Sequence, residues 1–254
     1  MEILLELTAP MMLEITPSKA MHFYGTRHRV CNHFTTTLKQ HCPLSYPTMR
    51  CNWIATCLAL TLLAAPAFAT DQEQKQKVAE DKAEVLEQKA AQNSSPAPAP
   101  KSEAITQPEV QAVDPAGKAP LDDAITCLAR SIYWEAKGKD SADMEAVANV
   151  VMNRLGHEGF PDTVCGVVKQ GSETKSCQFS WWCDGRPDSV QEEVQYSMAK
   201  EIARKALNKQ LPDRTKGALY FHDRTVKPDW AKEYTNTANI GLFKFYKPIG
   251  GDAK

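Results

Sequence analysis

Glu135 is the acid in this chain whose setting best suits proton transfer. It lies in the stretch Leu128-Ala129-Arg130-Ser131-Ile132-Tyr133-Trp134-Glu135-Ala136-Lys137-Gly138, which reads as a helix from about Ala124. Helical spacing puts Leu128, Ile132 and Glu135 on one face, so a carboxyl group continues an apolar stripe where solvation is poor. Gly138 ends the helix, which leaves Glu135 in the last turn, where the negative end of the macrodipole opposes a further negative charge. Both influences raise its pKa, as a general acid working near neutral pH requires. A boundary glutamate in a salt bridge has the same spacing, so spacing alone leaves both roles open.

The second stretch with chemical promise is Cys177-Gln178-Phe179-Ser180-Trp181-Trp182-Cys183. It mixes aromatic faces with amide and hydroxyl groups, the combination a sugar ring needs for its C–H faces and its hydroxyls. Two core aromatics beside a turn would read the same way. Adjacent Trp residues on an extended segment point to opposite sides, so at least one of them is expected at the surface.

Eight cysteines are present. Cys127, Cys165, Cys177 and Cys183 fall in the part of the chain that reads as folded. An even number in an exported domain suggests two disulfides. A bridge between Cys177 and Cys183 closes a short loop, which leaves Cys127 to pair with Cys165. Zinc is the rival, but the spacing fits no ribbon or finger. No metal and no cofactor is expected. His157-Glu158 reads as a turn, and Trp230 as a core residue.

These groups need a scaffold, and the composition locates it. Four of the five Trp, and every Gly except Gly25 and Gly117, lie beyond residue 120. After the first helix, Asp140 or Ser141 caps a second with Met144, Val147, Ala148, Val151 and Leu155 inward, ending at Gly156. A short helix follows over 163–170, then a long loop over 171–188. Ser189-Val190-Gln191-Glu192 reads as a capping box opening a long helix whose apolar face is Val190, Val194, Met198, Ile202 and Leu207. Residues 218–222 and 242–246 read as short strands separated by a Pro/Asn-rich loop. The expected fold class is therefore α+β, mostly helical with a small β-sheet. Charge is nearly balanced at a net −1, which gives no signature for binding nucleic acid.

The N-terminal half reads differently. Residues 1–48 lack periodicity and are read as an extension from a mis-assigned start. Met49-Arg50, the apolar run from Cys51 to Ala65, and Ala67-Phe68-Ala69 together make a secretory signal over 49–69, with cleavage after Ala69. The expected location is periplasmic or secreted. Residues 70–120 read as a linker: a charged, solvated helix over 71–92 with Val78, Val85 and Leu86 too sparse for a seam, then an extended Pro/Ala-rich tether. The folded domain is expected over 121–254.

Taken in order, LARSIYWEAKGK (128–139), AVANVVMNR (146–154), FPDTVCGVVKQ (160–170), CQFSWWCDG (177–185) and ALYFHDRTVKPDWA (218–231) resemble the catalytic domain of the cell wall hydrolase SleB family, which includes the spore cortex-lytic enzymes. The resemblance covers about half of the chain. It implies a lysozyme-like fold, peptidoglycan as the partner, and cleavage of the bond between MurNAc and GlcNAc. The family's catalytic acid falls on Glu135. Gln178, Phe179, Ser180 and Trp181 would then line the glycan cleft, with Tyr220 and His222 on its far wall, although His222 suits a structural role equally. Lytic transglycosylation by one carboxyl group is the leading mechanism. A hydrolase using a second carboxylate, Asp184 or Asp223, is its runner-up. A noncatalytic peptidoglycan-binding protein, and a zinc amidase built on His157 and His222, are readings from other classes. Lys139 stands where the spore enzymes often carry an acid, which makes the field at Glu135 less negative. A regulatory protein partner is expected on general grounds, but no motif for one is legible.

Overall fold

A computed structural model describes residues 65–92, 97–174 and 177–250. The expected Met49 start and the apolar run that follows it lie outside these residues. The α+β class expected from the sequence is the one that forms, with six helices and a three-stranded sheet among the described residues. Among them, no helix is long and apolar enough to cross a membrane.

The organising element is the helix that carries Glu135. Asp123 caps it by accepting from the Thr126 N–H at 2.8 Å. Residues 124–133 and Ala136 are all buried. We number the helices α1 (Ala65–Ala91), α2 (Gln107–Ala112), α3 (Ala124–Ala136), α4 (Ser141–Arg154), α5 (Val164–Lys169) and α6 (Glu193–Leu207). α3 is buried all round because α1, α4, α5 and α6 each pack on it. A disulfide between Cys127 and Cys165, with Cα atoms 5.3 Å apart, fastens α3 to α5.

The strands β1 (Tyr220–Asp223), β2 (Tyr234–Ile240) and β3 (Phe243–Pro248) form an antiparallel sheet in the order β1-β3-β2. β2 lies where the sequence reads as a Pro/Asn-rich loop. Its residues alternate weakly, and a register shift between Asn236 and Ala238 breaks the period on which strand reading depends. α4 anchors this sheet. The Asp143 carboxylate accepts from the Leu242 N–H at 3.0 Å. Gly241, at φ +48°, lets the β2–β3 turn come so close that any Cβ there would collide with that carboxylate.

Three expectations are corrected. First, residues 70–120 are not a free tether. Ala79, Ala83 and Leu86 form a buried stripe on α1 at offsets of four and three residues, packed into the same core as α3. Small alanines hid this face from a reading that looked for large residues. The Glu87 carboxylate accepts from the Val164 N–H at 2.8 Å, at the first residue of α5. The backbone of Ala91 lies so near Gly156 that no side chain fits there.

Beyond α1, the Pro/Ala-rich composition masks three anchors, Ile105, Val110 and Val113, all buried. Asn208 grips Ile105 on both sides, donating to its carbonyl and accepting from its N–H, each at 2.9 Å. Asp114 accepts from Arg130 and from the Tyr196 hydroxyl, both at 2.7 Å, inside the protein.

Second, the expected capping box at Ser189 does not form. The Val190 N–H donates to the Gly117 carbonyl at 3.0 Å, which holds that segment extended, and α6 begins at Glu193. The Glu192 carboxylate instead accepts from the Tyr133 hydroxyl and pairs with Lys137 at 3.4 Å. Third, the later start rotates the buried face of α6 onto Tyr196, Ala199, Lys200, Ala203 and Ala206. Ile202 and Leu207 stay inside, but Val194 and Met198 are 69% and 43% exposed.

Candidate active site

A cleft of about 700 Å³ opens between the end of α3, the segment from Cys177, and the sheet. Glu135 lies on its floor, in the last turn of α3 as the spacing predicts. Burial pushes its carboxyl up to about 7, against the opposing pull of Arg154, Lys139 and the Ser180 backbone N–H, each of which favours the carboxylate. A group so poised is protonated in a large share of molecules at neutral pH and can both give and take a proton.

Lys139 reaches the cleft because α3 stops at Ala136 and Gly138 turns the chain with φ +78°. Its Nζ lies 4.1 Å from the centre of the Phe243 ring and donates to Asp223 at 3.1 Å. Asp223 also accepts from the N–H of Thr225 at 3.0 Å and its hydroxyl at 2.7 Å, and these bonds hold it near 2, firmly ionised. It lines the cleft with Glu135. Asp184, the other acid considered beside it, is exposed, faces Arg186 at 3.9 Å, and is not part of the lining.

The residues over 177–181 divide between cleft and core. Gln178 and Ser180 line the cleft and are exposed. Phe179 is 0% and Trp181 5% exposed, and both belong to the core. Phe179 has extended backbone angles, so its neighbours on either side point away from it. Four consecutive residues therefore cannot share the cleft, and the expectation that Phe179 and Trp181 line it is corrected. Trp182 is half-buried, with Lys169 Nζ 5.4 Å from its ring centre. The disulfide Cys177–Cys183 spans this segment, with Cα atoms 6.0 Å apart.

Tyr220 and His222 line the cleft on its sheet side. His222 makes two contacts through its ring nitrogens: Nδ1 to the Asp223 carbonyl at 2.8 Å, and Nε2 to the Tyr246 hydroxyl at 3.1 Å. A carbonyl only accepts, so Nδ1 donates to it, and the two contacts fix the ring in the wall.

The sequence reading missed two aromatic residues here. Trp230, read as core, lines the cleft and packs edge-on to Tyr234 at 5.5 Å and Tyr246 at 5.5 Å. Tyr234, 5.0 Å from Tyr220, also lines it. The signal was the aromatic content of 230–234, which carried no period because a short 3-10 turn over Asp229–Lys232 leads directly into β2.

Arg154 was quoted only within a motif, yet it reaches the cleft. It ends α4 and is 2% exposed. The rings of Phe160, Phe179 and Tyr220 surround its guanidinium at 5.1 to 5.4 Å, and its Nε donates to the Leu219 carbonyl at 2.7 Å. Burial lowers its pKa to about 10. His157 contacts the carbonyl of Glu158 through Nδ1, at 3.1 Å, and packs edge-on to Phe160. Among the described residues, no three His, Cys, Asp or Glu side chains gather as a metal-binding group.

The chain is similar to known proteins over part of its length. Residues 138–246 match the family described as Cell Wall Hydrolase. The spore cortex-lytic enzyme of Halalkalibacterium halodurans is 31% identical over 125 residues, covering 49% of this chain and 34% of that protein. The enzyme of the same name from Bacillus subtilis is 30% identical over 157 residues, covering 61% and 45%. The chain thus spans less than half the length of these curated relatives. Among solved structures, the catalytic domain of the Bacillus cereus SleB protein is 28% identical, with 49% of this chain and 89% of that one covered and a TM-score of 0.40. The catalytic domain of the germination-specific lytic transglycosylase SleB from Bacillus anthracis gives 28%, 49%, 93% and 0.40. Residues 138–246 are thus similar to the cell wall hydrolase family, and the chain is similar over part of its length to spore cortex-lytic enzymes.

Proposed function

We propose that this protein cuts the glycan strands of peptidoglycan between MurNAc and GlcNAc, with Glu135 as the single general acid and base. The observation that carries the reading is a carboxyl group raised to about 7 on the floor of a cleft walled by Tyr220, Tyr234 and Trp230. Aromatic faces suit the C–H faces of sugar rings, while Gln178 and Ser180 offer an amide and a hydroxyl to the sugar hydroxyls. The relatives' name, spore cortex-lytic enzyme, supports a wall substrate.

In the forward step the Glu135 carboxyl gives its proton to the glycosidic oxygen as the bond from that oxygen to the anomeric carbon breaks. Positive charge then develops on the ring. In lytic transglycosylation the resulting carboxylate accepts the proton of the muramyl 6-hydroxyl as its oxygen bonds to the anomeric carbon. Glu135 returns to its starting state, and the product ends in 1,6-anhydromuramic acid. No second carboxylate is required, because the sugar supplies the nucleophile.

One observation favours a second reading. Asp223 is ionised in the same cleft and is suited to steady positive charge on the ring or to direct a water. That reading is hydrolysis, and it yields a reducing muramyl end. A noncatalytic peptidoglycan-binding role uses the same wall but gives Glu135 no task.

We place the protein outside the cytoplasm, with 49–69 as its export signal. Two disulfides suit an oxidising compartment. The test is digestion of purified sacculi with the full chain and with Glu135→Gln, followed by mass spectrometry of the released ends. Anhydro ends from the native protein and none from the variant are expected. Reducing ends would favour hydrolysis, and release by Glu135→Gln would overturn the role of the acid.

A further inference from the structure

Two arginines are buried in this domain, and the protein treats them differently. Arg130 is held by the Asp114 carboxylate, with Nη2 at 2.7 Å and Nε at 3.0 Å, and its Nη1 donates to the Asp188 carbonyl at 2.6 Å. It is a fully satisfied structural ion pair, of the kind that burial of a guanidinium requires. Arg154 has one hydrogen bond, to the Leu219 carbonyl, and its buried Nη1 has no hydrogen-bond partner. No carboxylate lies within 4.0 Å of it among the described residues. The acid that feels its charge is Glu135. Three aromatic rings and a carbonyl fix the guanidinium, so it cannot swing away to solvent.

A positive charge fixed in this way is poorly used by the molecules in which Glu135 is protonated and neutral. It is well used once the proton has left. We propose that Arg154 is a positioning residue that stabilises the Glu135 carboxylate formed when the glycosidic oxygen takes the proton. This deepens the reading of Glu135 as general acid and rests on it. The proton leaves with the glycosidic oxygen as the bond to the anomeric carbon breaks. The carboxylate left behind shares the cleft lining with a buried, preorganised cation, whose stabilisation needs no reorganisation. When the carboxylate then accepts a proton from the attacking hydroxyl, the charge of the unmoved Arg154 is again without a carboxylate.

Other groups facing Glu135 set the background. Lys139 and the Ser180 N–H favour the carboxylate. On the sheet side of the cleft, Asp223 is ionised and Tyr220 is held as the neutral phenol by burial. His222 and Tyr234 also line the cleft. Lys139 is already paired with Asp223, so Arg154 is the cation whose charge no carboxylate other than Glu135 answers.

The experiment compares the full chain with Arg154→Met and Arg154→Lys. It reads the carboxyl carbon of Glu135 by NMR titration, and kcat on purified sacculi against pH. Arg154→Met, which keeps the length of the side chain but not its charge, should raise the Glu135 titration midpoint by one pH unit or more and lower kcat at least a hundredfold. Arg154→Lys should leave the midpoint near that of the native protein while losing about tenfold in kcat, because a point charge on a flexible stem is not held in the same place. An unchanged midpoint in folded Arg154→Met overturns the proposal. If that variant does not fold, native kcat in Arg154→Lys overturns it. Failure of the underlying reading looks different: Glu135→Gln would then keep its activity, whatever Arg154 does to the titration.

Discussion

Lys139 donates to the Asp223 carboxylate at 3.1 Å, joining the segment after α3 to the last residue of β1 along one side of the cleft. The link places a cation beside the acid that must lose a proton, and it keeps the acid that stays ionised occupied.

Replacing Lys139 by Met should therefore change two things together. Lys139 favours the Glu135 carboxylate, so its loss raises that pKa. A general acid is active while protonated, so activity falls as pH rises through its pKa. The alkaline limb of kcat should then move to higher pH, by less than in Arg154→Met. With the α3–β1 link gone, KM for sacculi should rise as well. Profiles at two salt concentrations check this, because a partly exposed pair weakens as salt increases.

Glu135→Gln should be more stable than the native protein above neutral pH. The folded-state pKa of Glu135, about 7, lies above its ordinary 4.5. The folded protein therefore holds a proton that the unfolded chain has released, and stability present below pH 4.5 is lost as pH rises through 7. A gap of this size corresponds to about 3 kcal/mol at most once both states are ionised. Gln pays no such penalty. Denaturant melts should show the two proteins alike near pH 4 and the variant ahead at pH 8, with equal stability at pH 8 as the contrary result.

The position of Glu135 was legible because one long helix with strong apolar spacing carries it, and its cap and terminator sit where residue types put them. Gln178 and Ser180 line the cleft, but the sequence did not separate Phe179 and Trp181 from them. That separation needs the fold, because a 3-10 turn over Ser180–Trp182 follows the extended Phe179 and breaks simple alternation. Arg154 was hidden for a deeper reason. A basic residue at the end of a helix suits the macrodipole on the surface, and only the fold shows this one buried among Phe160, Phe179 and Tyr220. β2 escaped because its period is broken by a bulge. The docking of α1 escaped because alanine carries little weight in a hydrophobic pattern, although it lets backbones approach closely.

The docked α1 gives a direct test of where the folded unit begins. Leu86 is buried against the core, whereas its neighbour Val85 is exposed. Leu86→Ala should cost about 2–3 kcal/mol, and Val85→Ala should stay within about 0.5 kcal/mol. For the same reason a fragment starting at residue 121 should melt well below one starting at residue 71, because it uncovers Ile125 and Leu128 and removes Asp114 from Arg130. Matching melts for the two fragments would mean that α1 contributes nothing to the domain.

The two disulfides should separate stability from activity. Cys127–Cys165 closes 38 residues between two helices of the core, and the chain-entropy relation gives about 4 kcal/mol for a loop of that length. Cys177–Cys183 closes only 6 residues, for which the same relation gives about 2 kcal/mol. The shorter loop, however, carries Gln178 and Ser180 to the cleft and the Ser180 N–H to Glu135. Replacing Cys177 and Cys183 together by Ser should therefore lower the melting temperature less than replacing Cys127 and Cys165, yet lower kcat on sacculi more at a temperature where both variants remain folded. Calorimetry on the two double variants, with activity measured well below either transition, distinguishes the effects. If the Cys177/Cys183 variant kept native kcat, the loop would hold its catalytic geometry without the bridge, and the packing of Phe179 and Trp181 alone would be what fixes it.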